Sequence, residues 1–295
     1  MCALPIKPLF LIPSRKSKGV RALSNTAVLT EYTIFADAER LSSPLKIALV
    51  ADLHERNADD IFAMLKQQKP DMIAVAGDTL ERYGNPKNKP VIREKFSVLR
   101  WLFLNVAYYF NALLLKIFRK NRSHSSETAF EFLDGAANVA PVFMSLGNHE
   151  HCLLDEDISR LGELGVSLLD NDDALADIAG NTLRIGGLSC DADEEWLKRY
   201  ADKDGFKLLL CHRPEYYPVL LEQLDIDLIL AGHTHGGQIR FFDRGLFSSG
   251  QGLFPKYHKG VADNKMVISA GCSNPIAIPR INNPRELVIV NLLPK

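Results

Sequence analysis

Short apolar runs alternate along the chain with polar stretches of helical spacing. Nine runs have the length of a strand: "LTEYTIF", "LKIALVA", "MIAVAG", "PVFMSLG", "LRIGGLS", "FKLLLC", "LILAG", "KMVISAG" and "ELVIVNL". Several are rich in β-branched residues, and most stop at Gly, Asp, Asn or His. Between them, residues 57–68, 155–164 and 214–224 have helical character, and Asn57 is a candidate N-cap for the first. Many strands with helices interspersed, and strands apolar on both faces, predict a layered α/β fold. No internal repeat or low-complexity tract interrupts the pattern.

Two segments depart from it. Residues 1–26 contain an apolar stretch broken by Pro5, Pro8 and Pro13. It is too short to span a membrane and makes a poor signal peptide. The expectation is a loosely ordered leader before one domain over 27–295, in a cytoplasmic protein. The second departure is an insertion over about 82–127. More than sixty residues separate "AGDT" from the strand at Pro141, far more than a crossover needs. Its centre, "WLFLNVAYYFNALLL", carries no charge, while Arg93, Lys95 and Arg100 precede it and Lys116, Arg119, Lys120 and Arg122 follow. A buried core helix, a tight lid over a soluble substrate, and a helix lying in a membrane interface over 96–120 all fit that pattern.

Composition narrows the function classes. With 295 residues and 46% hydrophobic content, the chain can bury a large core. A net charge of −1, from 35 basic and 36 acidic residues, speaks against binding long nucleic acids. The five cysteines are scattered, with no CxxC pair, so a disulfide framework or a zinc–cysteine site is not expected.

The chemistry gathers where the apolar runs stop. "IALVA" ends in Asp52-Leu53-His54, and "MIAVA" in Gly77-Asp78. "VFMSL" ends in Gly147-Asn148-His149-Glu150, "KLLLC" in His212, and "LILA" in Gly232-His233-Thr234-His235. Each piece alone has an ordinary reading, because Gly, Asp and Asn are turn residues and a lone histidine is usually a loop or core residue. The joint pattern is harder to explain that way. Six of the eight histidines are His54, His149, His151, His212, His233 and His235, and five of them follow strands. Ligand sites in open α/β sheets form at the carboxyl ends of strands. Such ends meeting at one edge would assemble Asp52, His54, Asp78, Asn148, His212, His233 and His235. That set suffices for two metal ions sharing one carboxylate, and its mixed nitrogen and oxygen donors suit Mn, Fe, Zn or Co. Gly232, Gly236 and Gly237 give the backbone room to turn both histidines inward. Alternating side-chain directions would then aim His233 and His235 at different ions, with Thr234 between them carrying the chain on.

The order Asp-x-His, Gly-Asp, Gly-Asn-His-Glu, His, Gly-His-Thr-His resembles the calcineurin-like metallophosphoesterase superfamily, over about residues 45–240. The tail "GQGLFPKYHKG" and "SAGCSNPIAIPRINNPREL" is similar to a bacterial branch whose members are often membrane-tethered. The resemblance implies a four-layer α-β-β-α sandwich of two mixed sheets. It implies that Asp52, His54 and His235 hold one divalent ion, that Asn148, His212 and His233 hold a second, and that Asp78 bridges them. His149 would lie beside the phosphate as a proton donor, its pKa raised by Glu150 or another carboxylate. The departures are small: Ala51 stands where the branch usually has serine, Glu55 follows the first histidine, and the insertion is long. The implied activity is hydrolysis of a phosphate ester or diphosphate by metal-activated hydroxide. A phosphorylated small molecule or a lipid-linked phosphate is the expected substrate, and contact through 96–120 would make the protein peripheral on the inner face of a membrane. A phosphodiesterase on soluble nucleotides and a non-catalytic metal-binding scaffold are the alternatives. Arg280, in "IPRINN", reads equally as a phosphate contact and as a solvated loop residue, and His151 and His258 read as bystanders.

Overall fold

The structure is a computed structural model that describes residues 26–82, 125–276 and 278–295. In chain order its main elements are β1 (Ala27–Ala36), β2 (Leu45–Val50), α1 (Asp59–Gln68), β3 (Met72–Ala76), α2 (Ser126–Ala137), β4 (Val142–Ser145), α3 (Asp155–Glu163), β5 (Val166–Leu169), β6 (Asp172–Ile178), β7 (Asn181–Leu188), α4 (Glu194–Ala201), β8 (Phe206–Cys211), β9 (Leu228–Ala231), β10 (Gly260–Ala262), β11 (Met266–Ile268) and β12 (Arg285–Pro294). Two small ribbons pair Arg240–Phe241 with Arg244–Gly245 and Phe247–Ser248 with Gly252–Leu253. Residues 1–25 of the expected leader and 83–124 of the expected insertion lie outside the described residues, and with them the expected contact over 96–120. No helix among the described residues is long and apolar enough to cross a membrane.

The strands form two six-stranded mixed sheets, ordered β1-β12-β2-β3-β4-β5 and β10-β11-β9-β8-β7-β6. In the first, β2 to β5 run parallel and β12 is antiparallel to β2. In the second, β7, β8, β9 and β11 are parallel, with β6 and β10 antiparallel at the edges. Three apolar clusters define four layers. Ile61 and Leu65 of α1 and Phe130 and Leu133 of α2 pack with Val50, Val75 and Met144 on one face of the first sheet. Its other face gives Ile47, Leu49 and Ala74, which meet Ile185, Leu208 and Leu210 of the second sheet. Trp196, Leu197 and Tyr200 of α4 cover Leu209 and Ile229 on the far side. Strand β8 therefore sends Leu208 and Leu210 one way and Leu209 the other. Both faces are buried, which is why "FKLLLC" shows no polar alternation.

The elements differ from the sequence pattern in a few places. Helix α1 starts at Asp59, and Asn57 Oδ1 accepts that residue's amide at 3.2 Å. The segment 214–224 forms a short 3₁₀ turn, Pro214–Tyr216, and one π-type turn, Tyr217–Leu221, instead of an α-helix. Pro218 lacks the N–H an α-helix would use there, and its ring crowds the preceding turn. Helices α2 and α4, capped by Ser125 and Asp193, and strands β5 and β6 were not expected.

Candidate metal centre

All the parallel strands that carry candidate residues end at one edge, where the two sheets meet. The loops there are laced together by backbone bonds. Asp52 N donates to Gly77 O (3.1 Å), His54 N to Asp78 O (2.9 Å), and Gly232 N to His212 O (3.1 Å). Among the bonds that cross between the sheets, His212 Nδ1, after β8, lies 2.6 Å from Ala76 O, at the end of β3. Gly77 permits the closest approach. Its φ is +76°, and a Cβ there would sit 2.5 Å from Gly147 N. Any larger residue would push the loop of Asp78 away from the loop of Asn148.

The backbone at this edge is strained. Asp52 (φ 58°), His54 (φ 51°), Asp78 (φ 54°), His233 (φ 71°) and His235 (φ 46°) are all left-handed. Such residues are uncommon outside glycine, although Asp and His tolerate the region better than most. Each costs about 1 kcal/mol and persists only where the surroundings impose it. The His233-Thr234-His235 segment is thus a turn, with Thr234 in the right-handed helical region (φ −83°, ψ −8°). Strand-like alternation does not separate the two histidines, as the sequence suggested. A left–right–left backbone sequence does.

Two trios of the expected ligands result, each with its candidate donor atoms within 4.8 Å of one another: Asp52, His54 and His235, and Asp78, His212 and His233; a third group of the same kind joins His54 to Glu81 and His149. Asp78 Oδ2 lies between them, 3.8 Å from His54 Nε2 and 3.1 Å from His212 Nε2. The last contact lacks hydrogen-bond alignment, so His212 Nε2 is a buried atom without a hydrogen-bond partner. His54 Nε2 and Asn148 Oδ1 share that state. Buried polar atoms normally find partners. Two such nitrogens facing Asp52 and Asp78, with Asn148 lining the same cavity, fit cations between them.

The outer nitrogens of the rings are held in the matching sense. His54 Nδ1 lies 2.8 Å from Glu81 Oε1, and His212 Nδ1 bonds Ala76 O. A carboxylate or carbonyl behind an imidazole fixes the tautomer and leaves Nε2 as the donor atom. His233 is turned round: its Nε2 is 3.0 Å from Ser249 Oγ, which leaves Nδ1 facing inward. Behind His235 stands Arg280, with Nη2 3.2 Å from Nδ1. Arg280 is no solvated loop arginine. It is 6% exposed and donates to Ala270 O and Ser273 O, and burial lowers its pKa to about 10.

Electrostatics sort the groups. Burial raises the pKa of Asp52, with Asp78 adding to the rise. Burial would raise that of Asp78 too, but His212, His54 and His149 hold it well below the usual carboxylate range. Burial pulls the pKa of His212 down, yet Asp78 and Asp52 outweigh it and lift the value to about 9. Burial, then neighbouring cations, push His233 and His235 well below the ordinary imidazole range, so both are neutral at pH 7.

His149 stands at the mouth, its side chain 24% exposed and its Nε2 3.8 Å from Asp78 Oδ2. Glu81 Oε2 takes its Nδ1 at 2.7 Å. Burial lowers the pKa of His149, but Glu81 and Asp78 leave it raised overall. The carboxylate behind His149 is therefore Glu81, which the sequence reading missed, and not Glu150. The signal available was its place on the Gly77-Asp78 loop. Glu150 is turned inward, 1% exposed, and accepts amides from Gly147 (2.6 Å), Asp78 (3.0 Å), Thr79 (2.8 Å) and Leu80 (2.9 Å). A cavity of about 500 Å³ opens over this edge, lined by Asp78, Asn148, His149, His233 and His235, together with Arg56, Glu81, Gln238, Phe247 and Ile276. His151 lies 3.8 Å from Asp191, and His258 bonds the carbonyls of Pro255 and Asp243; neither joins either trio.

A model of the calcineurin-like phosphoesterase family matches residues 45–237. The chain belongs to that family, and it is a metal-dependent phosphoric ester hydrolase. The Bacillus subtilis metallophosphoesterase YkoQ is 28% identical over 255 residues, covering 82% of this chain and 77% of its own. The Campylobacter jejuni metallophosphoesterase Cj0846 is 27% identical over 289 residues, covering 92% of this chain and 66% of its own. Phosphodiesterase YaeI of Escherichia coli is 23% identical over 214 residues, covering 68% and 63%. Among solved structures, a 5'-nucleotidase precursor from Thermus thermophilus aligns with a TM-score of 0.44 at 13% identity, over 85% of this chain and 54% of that one.

The inward turn of Glu150 sets a stability test. Glu150→Ala strands four buried amides, and the unfolding free energy should fall by about 3 kcal/mol or more, read from urea melts of purified protein. A loss under 1 kcal/mol would mean that Glu150 is not what ties the Asp78 loop to the Asn148 loop.

Proposed function

We propose that the two trios form one dinuclear centre for hydrolysis of a phosphate ester or diphosphate. The observation that carries the reading is the position of Asp78 Oδ2 between His54 Nε2 and His212 Nε2. Asp52, His54 and His235 would hold one divalent ion, Asn148, His212 and His233 the other, with Asp78 common to both. Bound there, two divalent ions would offset the charge that builds up in an in-line displacement at phosphorus and would lower the pKa of water. The chain's own residues supply the rest. His149, backed by Glu81, stands at the cavity mouth to donate a proton from Nε2 to the leaving oxygen. Arg56, on the cavity wall, places a cation near an anionic substrate. Asn148 contributes a neutral oxygen, so the centre does not repel a phosphate. The name of the Escherichia coli relative favours a diester. A lipid-linked phosphate is the other substrate reading.

Metal analysis tests the centre. Asp78→Ala should lower the content of both ions, whereas His54→Ala should deplete mainly one, with hydrolysis of a chromogenic phosphodiester falling in both. Two tightly held ions and near-normal turnover in Asp78→Ala would sink the assignment.

The pH dependence of metal uptake follows from His212. Its pKa in the protein without metal stands near 9, and a ligating imidazole must be neutral. Below that value, binding therefore expels a proton, so affinity rises with pH by up to about tenfold per unit and levels off near pH 9. Titration calorimetry in buffers of different ionisation enthalpy reads that proton; uptake with no proton release at pH 7 would contradict it.

His149→Ala should keep both ions yet slow turnover by about 10²–10⁴-fold. The loss should shrink for leaving groups that need little protonation, and Glu81→Gln should reproduce part of that pattern. Equal losses for p-nitrophenyl and alkyl esters would remove His149 as the proton donor.

A further inference from the structure

Beside the cavity, the two small ribbons present large apolar side chains to solvent. Phe242 is 101% exposed, Phe254 67%, Phe241 57% and Leu253 49%. The ribbons that carry them are joined through the backbone. Phe254 N donates to Leu246 O at 2.9 Å, and Leu246 N donates to Ile239 O at 2.8 Å, so the second ribbon is bonded to the first. The second ribbon also carries Phe247, which lines the cavity. The patch therefore borders the mouth of the site.

The backbone makes the exposure harder to dismiss. Phe242 and Asp243 form a two-residue turn between the paired Phe241 and Arg244, with φ of 46° and 66°. Such turns favour Asn-Gly, because both central residues are left-handed. A phenylalanine there costs about 1 kcal/mol and gains no packing in return. Phe254 repeats the pattern, with a φ of 53°. Two exposed phenylalanines in an unfavourable backbone region, on neighbouring ribbons, mark a surface shaped by something outside the fold.

The charge around them indicates what that is. Residues 240–260 carry four basic side chains and one acid; Arg240 pairs with Asp243 and the largely buried Lys259 with Glu286, so Arg244 and Lys256 are the cations that face solvent, like the aromatics. Projecting aromatic tips flanked by cations suit a soft, negatively charged surface: the rings sink among acyl chains while the basic groups stay at the headgroups. A folded protein partner would have to offer separate pockets for each tip. We infer that this ribbon surface docks the protein on an anionic lipid bilayer, with the cavity mouth at the headgroup level. Docking needs no turnover, so it stands or falls apart from the hydrolysis reading.

Flotation of the full chain with vesicles tests it. The protein should bind phosphatidylcholine vesicles containing a third phosphatidylglycerol, bind pure phosphatidylcholine less, and release in 0.5 M salt. The pair Phe242→Ser and Phe254→Ser should lower the partition coefficient at least tenfold. Phe242→Asn suits the left-handed turn, so it should weaken binding with no loss of thermal stability. Phe242→Trp should shift its emission to the blue on vesicles. Unchanged melting and unchanged hydrolysis of a soluble diester in the serine pair show that the fold is intact. Vesicle binding that survives the serine pair would overturn the inference. So would a protein that binds no anionic vesicle at low salt, or a serine pair that splits a dimer while lipid binding stays absent, which would make the patch a contact between copies.

Discussion

Buried negative charge at the seam between the sheets governs the architecture. Asp52, Asp78 and Glu150 are each at most 1% exposed, within one edge of the fold. A carboxylate out of water must be paired or solvated by donors. Glu150 takes four amides, Asp52 takes the amide of His233, and Asp78 takes that of His149. Every one of these donors comes from a loop that follows a strand. The loops can deliver them only if the strands end together. The common edge of the two sheets is thus a requirement of these three side chains, and the apolar clusters supply the rigidity that meets it.

The same rigidity sustains the left-handed backbone at Asp52, His54, Asp78, His233 and His235. Five such residues would be unfavourable in a loose loop. Here each begins or interrupts a loop anchored to a buried strand, β2, β3 or β9. The strain directs side chains that a relaxed extended continuation would send apart. Precision at the centre is therefore drawn from the packing of Leu49, Ala74 and Leu230 between the sheets.

Much of this was legible in the sequence because the same residues do both jobs. A buried strand reads as an unbroken apolar run, and its end shows where chemistry can begin. That brought out Asp52, His54, Asp78, Asn148, His212, His233 and His235 as candidates, together with the layered architecture. What escaped notice has no local signature. Strands β5 and β6 lie at the edges of their sheets, and "DDALADI" in β6 is mostly exposed or half-buried. The pairing of Glu81 with His54 and His149, and the turn of Glu150 toward backbone amides, depend on loops from different strands meeting. Glu150 adjoins His149 in sequence but points away from it, while Glu81 is distant in sequence and touches it. The exposed phenylalanines carry no sequence signal either, because their exposure and left-handed φ are set by the pairing of the two ribbons.

Strand β12 lies between β1 and β2, although more than two hundred residues separate it from either in the chain. Until β12 arrives, β1 has no strand to pair with, and the first sheet ends at an open edge of β2, the strand that leads to Asp52 and His54. During synthesis that edge must wait for the rest of the domain, with its N–H and C=O groups free to capture a neighbouring chain. The long sequence separation makes this closure a late, slow event in folding. Nascent chains stalled before residue 285 should accordingly depend on chaperones, and the site at the end of β2 can acquire its final shape only after β12 has slotted in.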